Sequence, residues 1–556
     1  MKKMMLAAFG AVLFLNACDT PAKLISIPVE NVDNNPLKVA PLSEETEKAW
    51  SAKDLLKDTI PGMSVDLAYN EFINGNQGEP VIVGVVDSGV DIDHEDLKNK
   101  IWTNTKEIPN NNKDDDNNGY VDDIHGWNFL GDVVDEQLEF SRIIQKYEPL
   151  YKGKSLSEIS KNEQETFKLY KSAREEYDKQ YDELIEQKNQ YDQIVDVVTA
   201  AHAEVSKKLG KEDYTAEDLE KMDASTPDAQ RNKAILTQML SYEPTIPEFL
   251  DMIDEGLESM NKRLDNNFNL NADYRKVVGD DPNDIKDDAY GNNNVMGPDA
   301  EGALHGTHVA GIIAAQRDNS LGMNGVANDN IKIMVVRAVP DGDERDKDVA
   351  LAFRYAVDNG AKVINTSFGK YFSTHPEWVY DAIKYAAKHD VLIVNAAGND
   401  AVDLDSGKTI YPNDQLDNME EFADNFITVG ALNETYGGEL VAPFSNYGKS
   451  NVDVFAPGMR IYSTVPGNKY KFLQGTSMAS PEVAGVAAML RSYYPQFSAG
   501  QIKQILMQSG VTTNTPVVVG GDPADTKKFS ELSKSAKMVN MYNAFKMAQL
   551  SIQNNL

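Results

Sequence analysis

Val81-Ile82-Val83-Gly84-Val85-Val86 is an uncharged run, β-branched except at Gly84, and it ends at Asp87-Ser88-Gly89. A run apolar on both faces reads as a central strand of a parallel sheet, because only there is each side of the strand covered. Similar short runs recur at Ile331 to Val336, Val363-Ile364-Asn365, Val391 to Asn395 and Ile427-Thr428-Val429. Helical patterns such as Val349 to Asn359 and Val379 to His389 separate them. Strand alternating with helix predicts an α/β fold with a doubly wound parallel sheet, and functional residues are expected beyond the carboxyl ends of its strands.

Working outward from that strand, the chain of 556 residues exceeds one hydrophobic core, so an insertion or further domain is expected. Between about Val133 and Pro298 the composition shifts to Glu, Lys, Gln and Tyr, almost without Gly or Pro from Ser155 to Leu209. Tyr170, Tyr177, Tyr181, Leu184, Tyr191, Val195 and Val198 fall at three-and-four spacing, which predicts one stripe along a long helix. Ala234 to Tyr242 and Phe249 to Leu264 supply a partner stripe, so an inserted helical hairpin packing on itself is preferred to a coiled coil between chains.

The charge balance is Lys+Arg 54 against Asp+Glu 87, a net −33. That field repels phosphates, which excludes nucleic acid as a partner. Met1-Lys2-Lys3, an apolar stretch from Met4 to Leu15 and then Leu15-Asn16-Ala17-Cys18 read as an export signal too short to span a bilayer. Cys18 is the sole cysteine, so no internal disulfide forms. Its context resembles a bacterial lipoprotein signal whose cysteine is lipidated, implying an exported protein on the periplasmic or cell-surface face, touching the membrane through that anchor only. The expected division is a signal over 1–17, a tether over 18–49, a catalytic domain over 50–132 and 299–556, and the helical insertion over 133–298.

Three segments carry chemistry. Val85-Val86-Asp87-Ser88-Gly89-Val90-Asp91 puts a carboxylate at a strand end, and His305-Gly306-Thr307-His308-Val309-Ala310-Gly311 puts an imidazole at a helix start. Gly475-Thr476-Ser477-Met478-Ala479-Ser480-Pro481 puts a hydroxyl at a glycine-preceded turn opening another helix. A serine hydroxyl is a weak nucleophile that needs a base, and the base needs a carboxylate to orient it. Taken singly, Asp87 reads equally as a helix cap and His305 as a packed core histidine. In their contexts and in the order Asp, His, Ser, the three resemble the subtilisin-like serine peptidases.

The resemblance covers about Trp50 to Leu130 and Gly291 to Ala548. It implies an endopeptidase acting on proteins or peptides, with Ser477 the nucleophile, His305 the base and Asp87 its orienting carboxylate. Ala396-Ala397-Gly398-Asn399-Asp400 resembles the segment whose asparagine, here Asn399, donates to the oxyanion. Ser367-Phe368-Gly369 resembles the strand that pairs with substrate, Ala396 to Gly398 the facing pocket wall, and Ile410 before Tyr411-Pro412 the pocket floor. A β-branched floor favours small or medium apolar side chains. No organic cofactor is implied. The rival reading is a catalytically silent or insertion-gated lipoprotein that serves as a binding scaffold.

Asp114-Asp115-Asp116-Asn117-Asn118-Gly119-Tyr120-Val121-Asp122-Asp123 spaces oxygen ligands alternately, as calcium loops do. A structural Ca²⁺ on Asp114, Asp116, Asn118, Tyr120, Asp122 and Asp123 is therefore preferred to a solvated Asn/Asp-rich turn. His125 stands at the twelfth position instead of Glu, so the loop is not an EF-hand. A second site of the resembled family would use Asp96 with the loop beginning at Asp318. His308 is read as a packed helix residue, since no Cys or His cluster has zinc spacing.

Overall fold

The computed structural model describes residues 23–38, 40–416 and 420–554. Val81–Asp87 (β1) lies near the centre of a seven-stranded sheet. The others are Gly126–Asn128 (β2), Ile331–Arg337 (β3), Ala361–Thr366 (β4), Leu392–Ala396 (β5), Phe426–Leu432 (β6) and Val454–Pro457 (β7). Their order is β2-β3-β1-β4-β5-β6-β7, and all neighbours are parallel. Val85 stands opposite Val335 on one side and Asn365 on the other.

Side chains alternate between the two faces, as the pleat requires. Val83 and Val85 of β1, with Ile333, Val335, Val363 and Val394, pack under the helices Leu304–Ala314 and Thr476–Tyr493. Val86, Met334, Val336, Ile364 and Ile393 face Asp346–Asp358 and Pro376–Lys388. Each such aliphatic side chain contributes about 1.5–3 kcal/mol by leaving water. Both faces are thereby covered, which accounts for the unbroken apolar run that opened the sequence.

The insertion is helical and folds back on itself. Gln164–Leu209 runs 46 residues, and Pro227–Met239 and Ile246–Lys262 lie against it. Tyr170, Tyr177, Leu184 and Val198 are buried along its stripe, whereas Tyr181 is exposed. Near the body, Phe140, Ile144, Tyr177 and Phe268 form one cluster that takes in Phe372 of the sheet domain. A second cluster around Val198, Tyr214, Leu236 and Phe249 closes the far end.

Two boundaries differ from those read in the sequence. The helical arm stops before residue 298: Arg275 pairs with both carboxylate oxygens of Asp348 at 2.7 and 3.1 Å, and Tyr290 donates to Asp348 at 2.6 Å. Those buried pairs draw the acidic stretch 275–298 onto the sheet domain. Nor does the segment from residue 23 hang as a tether. Ile27 and Val32 are buried, Ile25 N–H donates to Ser551 Oγ at 2.8 Å, and Asp33 accepts from Asn514 N–H at 2.8 Å. Isolated apolar residues and polar contacts to the chain's far end leave no periodicity to read. Among the described residues no helix is long and apolar enough to cross a membrane.

Candidate active site

Asp87 is the last residue of β1, and its side chain is buried. Its Oδ1 accepts from Ser88 N–H at 2.8 Å and lies 2.7 Å from His305 Nδ1. His305 is the second residue of the helix Leu304–Ala314, so a strand end and a helix start meet here. The meeting depends on Gly306: a Cβ at that position would lie 2.2 Å from the Gly89 carbonyl oxygen, so only glycine lets this helix approach the β1 loop. Burial opposes a charge on the His305 ring, but the Asp87 carboxylate and its hydrogen bond outweigh it and raise the imidazole pKa above the ordinary 6.5. One turn along, His308 is buried at 3.0 Å from the Lys471 carbonyl, and burial lowers its pKa to about 3. It is a neutral packing residue.

Ser477 opens the helix Thr476–Tyr493. Its Oγ donates to the Ser367 carbonyl at 3.0 Å, while Ser367 Oγ donates to the Ser477 carbonyl at 2.8 Å. His305, Asn399 and Ser477 line one cavity of about 480 Å³ together with Arg460, Phe472 and Leu473. The Asn399 amide orientation follows from its partners: Oδ1 accepts from Thr476 N–H at 2.8 Å and Thr476 Oγ1 at 3.0 Å, which turns Nδ2 outward. An ideal Cβ on Gly475 would stand 3.5 Å from both Asn399 Nδ2 and Ser477 N. Both nitrogens therefore lie on the same side of Gly475, at the positive end of an 18-residue helix.

Ile410 lies between the two expected pocket walls. Its Cδ1 would touch a Cβ on Gly369 at 3.0 Å and one on Gly398 at 2.9 Å. Ala396 and Ala397 are buried behind Gly398, and Phe368 is half-buried beside Gly369. Sequence reading missed Thr476, whose hydroxyl also accepts from Gly398 N–H at 3.0 Å, and Asn446, whose amide donates to the Ala397 carbonyl at 2.9 Å. Thr476 stands within the segment of Ser477 but without a role read from it, Asn446 has no motif of its own, and only their contacts single them out.

The acidic loop brings together a different set of oxygens from the one expected. Glu107, Asp114 and Asp116 converge, with one carboxylate oxygen of each within 4.8 Å of the others. Glu107 is buried and its Oε2 has no hydrogen-bond partner. Asp122 instead accepts from the backbone of Asn111 and Asn112 at 3.2 and 2.8 Å. Asp123 is engaged by Asn104, Asn118 and Tyr355, and Asn118 Oδ1 by Tyr120 N–H. The Tyr120 ring packs on Trp127, Phe129 and Tyr355, so its side chain is part of the core. Asp96 does meet the loop at Asp318, but its two oxygens accept from Asn319 at 2.6 Å and Tyr470 at 3.2 Å. Among the described residues no cluster of three His, Cys or carboxylate ligands forms there.

The chain is 43% identical over 189 residues to the thermophilic serine proteinase of Bacillus sp. (strain AK1), covering 34% of this chain and 42% of the relative. It is 36% identical over 232 residues to the cell wall-associated protease of Bacillus subtilis (strain 168), covering 42% of this chain and 23% of the relative. It thus spans less than half the length of either relative. Among solved structures, the epidermin leader peptide processing serine protease from Staphylococcus aureus aligns at 23% identity and a TM-score of 0.37, over 46% of this chain and 65% of that one. The model of the subtilase family matches residues 192–532, more than half of the chain and the part that holds His305, Asn399 and Ser477. With the sheet and that match together, the chain belongs to the subtilase family.

Proposed function

We propose that the protein is a serine endopeptidase that hydrolyses peptide bonds in proteins. The observation that carries this reading is the 2.7 Å contact of His305 Nδ1 with Asp87 at a cavity that Ser477 and Asn399 also line. A rotation of its side chain takes Ser477 Oγ from the Ser367 carbonyl toward the carbonyl under attack. As the C–O bond forms, His305 Nε2 takes the hydroxyl proton, and Asp87 stabilises the imidazolium. The carbonyl oxygen gains negative charge and is held by Asn399 Nδ2 and Ser477 N–H. His305 then gives its proton to the departing amine, and water repeats the sequence to free the acid. The walls at Gly369 and Gly398 with Ile410 between them favour a small or medium apolar residue before the cut.

For the acidic loop the reading is a structural calcium on Glu107, Asp114 and Asp116, three hard oxygen donors at suitable mutual distance. The buried, unpartnered Oε2 of Glu107 fits that role, since a lone buried carboxylate oxygen calls for a counter-charge. Location is read from the sequence: export, with lipid on Cys18 holding the domain at a membrane. Cys18 lies outside the described residues.

The test is labelling with a serine-directed fluorophosphonate, comparing the full chain with Ser477→Ala, alongside hydrolysis of an unfolded protein. Labelling and hydrolysis that both vanish in Ser477→Ala are expected. Absence of labelling in the parent would support the silent scaffold instead. No residue of the 133–298 segment lines the cavity at Ser477, which counts against a lid over the nucleophile.

A further inference from the structure

β1 stops at Asp87, while the chain of its two sheet neighbours runs on, through residues 338–345 after β3 and 367–370 after β4. A crevice opens between those two continuations. Ser367 marks the level of the scissile bond in it, through its paired contacts with Ser477. Gly369 and Ile410 place the pocket for the acyl residue on the same side, so the acyl part of an extended peptide lies along residues 367–370. Such a peptide advances about 3.3 Å per residue, which puts Lys370 about three residues from the cut.

At that level side chains cross the crevice. Lys370 is 3% exposed, and its Nζ donates to the Glu344 carbonyl at 2.7 Å on the opposite wall. It also meets Asp346 at 2.9 Å and Glu139, which opens the helix Glu139–Tyr151 near the start of the insertion, at 3.2 Å. Glu139 in turn accepts from Thr374 at 2.8 Å on the Lys370 side, and its N–H donates to Asp343 at 2.7 Å on the other. Arg142 pairs with Glu139 and donates to the Asp343 and Glu344 carbonyls at 2.8 and 3.1 Å. Burial opposes the Lys370 charge, but the carboxylates of Asp346, Glu139 and Glu344 outweigh it and hold its pKa above the ordinary value. The space behind the brace, bounded by Glu344, Lys370, Val349 and Tyr411, is about 10 Å³, barely the room of one water. A strand threading between two walls needs about 4.8 Å on each side. Here the acceptor on one wall is already bonded to a side chain from the other.

We propose that the entry of the insertion is the end wall of the cleft, so that the enzyme takes substrates whose chain ends or turns away about three residues on the acyl side of the cut. The insertion then sets substrate length without touching the nucleophile. This rests on the peptidase reading above.

The test is a series of N-acetylated alanine peptides carrying a fluorogenic amide, with two, three, four and six residues before the scissile bond, hydrolysed by the full chain. kcat/KM is expected to rise up to three residues and then stay level within about twofold or fall. A tenfold or larger rise from three residues to six would overturn the proposal while leaving the peptidase reading intact. No hydrolysis at any length, with no fluorophosphonate labelling of Ser477, would overturn both. The double variant Glu139→Gln with Lys370→Met removes the brace, and if folded it is expected to gain from the fourth residue. Because the parent series decides alone, misfolding of that variant does not protect the idea.

Discussion

His305 Nδ1 and Asp87 Oδ1 stand 2.7 Å apart although 218 positions separate them in the chain, most of that distance taken up by the helical insertion. The raised imidazole pKa has a direct kinetic consequence. A base must be neutral to accept the Ser477 proton, so kcat/KM is expected to rise with pH through a value above 6.5. Asp87→Asn removes the charge that raises it. The acid limb should then move to lower pH, and the maximal rate should fall by about 10⁴, as loss of the orienting carboxylate does elsewhere. A pH profile of both proteins checks this, and an acid limb that stays in place would count against Asp87 as the cause.

Asn399 and Thr476 separate donation from positioning. Asn399→Ala is expected to lower kcat by about 10²–10³ with little change in KM, because the amide meets charge that exists only in the transition state. Thr476→Val keeps the backbone donor to Asn399 Oδ1 and loses the hydroxyl that bonds both Oδ1 and Gly398 N–H. Its loss should be smaller and should again fall on kcat. Steady-state kinetics on one apolar substrate distinguish the two, and a change confined to KM would assign Thr476 to substrate binding.

For the acidic loop, dialysis against a chelator should lower the thermal midpoint, and calcium should restore it, since an ion bound only by the folded chain stabilises by mass action. Glu107→Gln should reduce that calcium-dependent increment, while Asp122→Asn, whose carboxylate already serves the backbone of Asn111 and Asn112, should leave it largely unchanged. Calorimetry with and without calcium reads both. Equal loss of the increment in the two variants would return Asp122 to the ligand set.

Particular residues explain how far the sequence could be read. Asp87, His305 and Ser477 are legible because each sits in a short local context, and the strands β1, β3 and β4 because buried parallel strands read as short continuous apolar runs. β2 has three residues, too few for any pattern, and was not read. The contact of Lys370 with Glu139 joins positions 231 apart, and nothing in the Ser367-Phe368-Gly369 segment beside Lys370 points to Glu139. The same holds for the segment around Val32, whose carbonyl accepts from Tyr436, 404 positions away. What tertiary packing alone brings together leaves no trace at short range, and here that includes the whole junction between insertion and cleft.

Glu482 is the remaining buried carboxyl on the Ser477 helix, five positions from the nucleophile. Burial raises its pKa to about 8, against one hydrogen bond from Ser51, and its Oε2 has no partner. Between the ordinary carboxyl value of 4.5 and about 8, the folded chain holds a proton that the unfolded chain has lost, so this residue makes stability fall as pH rises through that window. Glu482→Gln replaces the neutral acid with a neutral amide of the same shape. The variant is therefore expected to match the parent below pH 4.5 and to have the higher thermal midpoint near pH 9. Calorimetry at the two pH values checks it. An equal shift at both would mean that the amide alters packing, and the buried proton would not then be the cause.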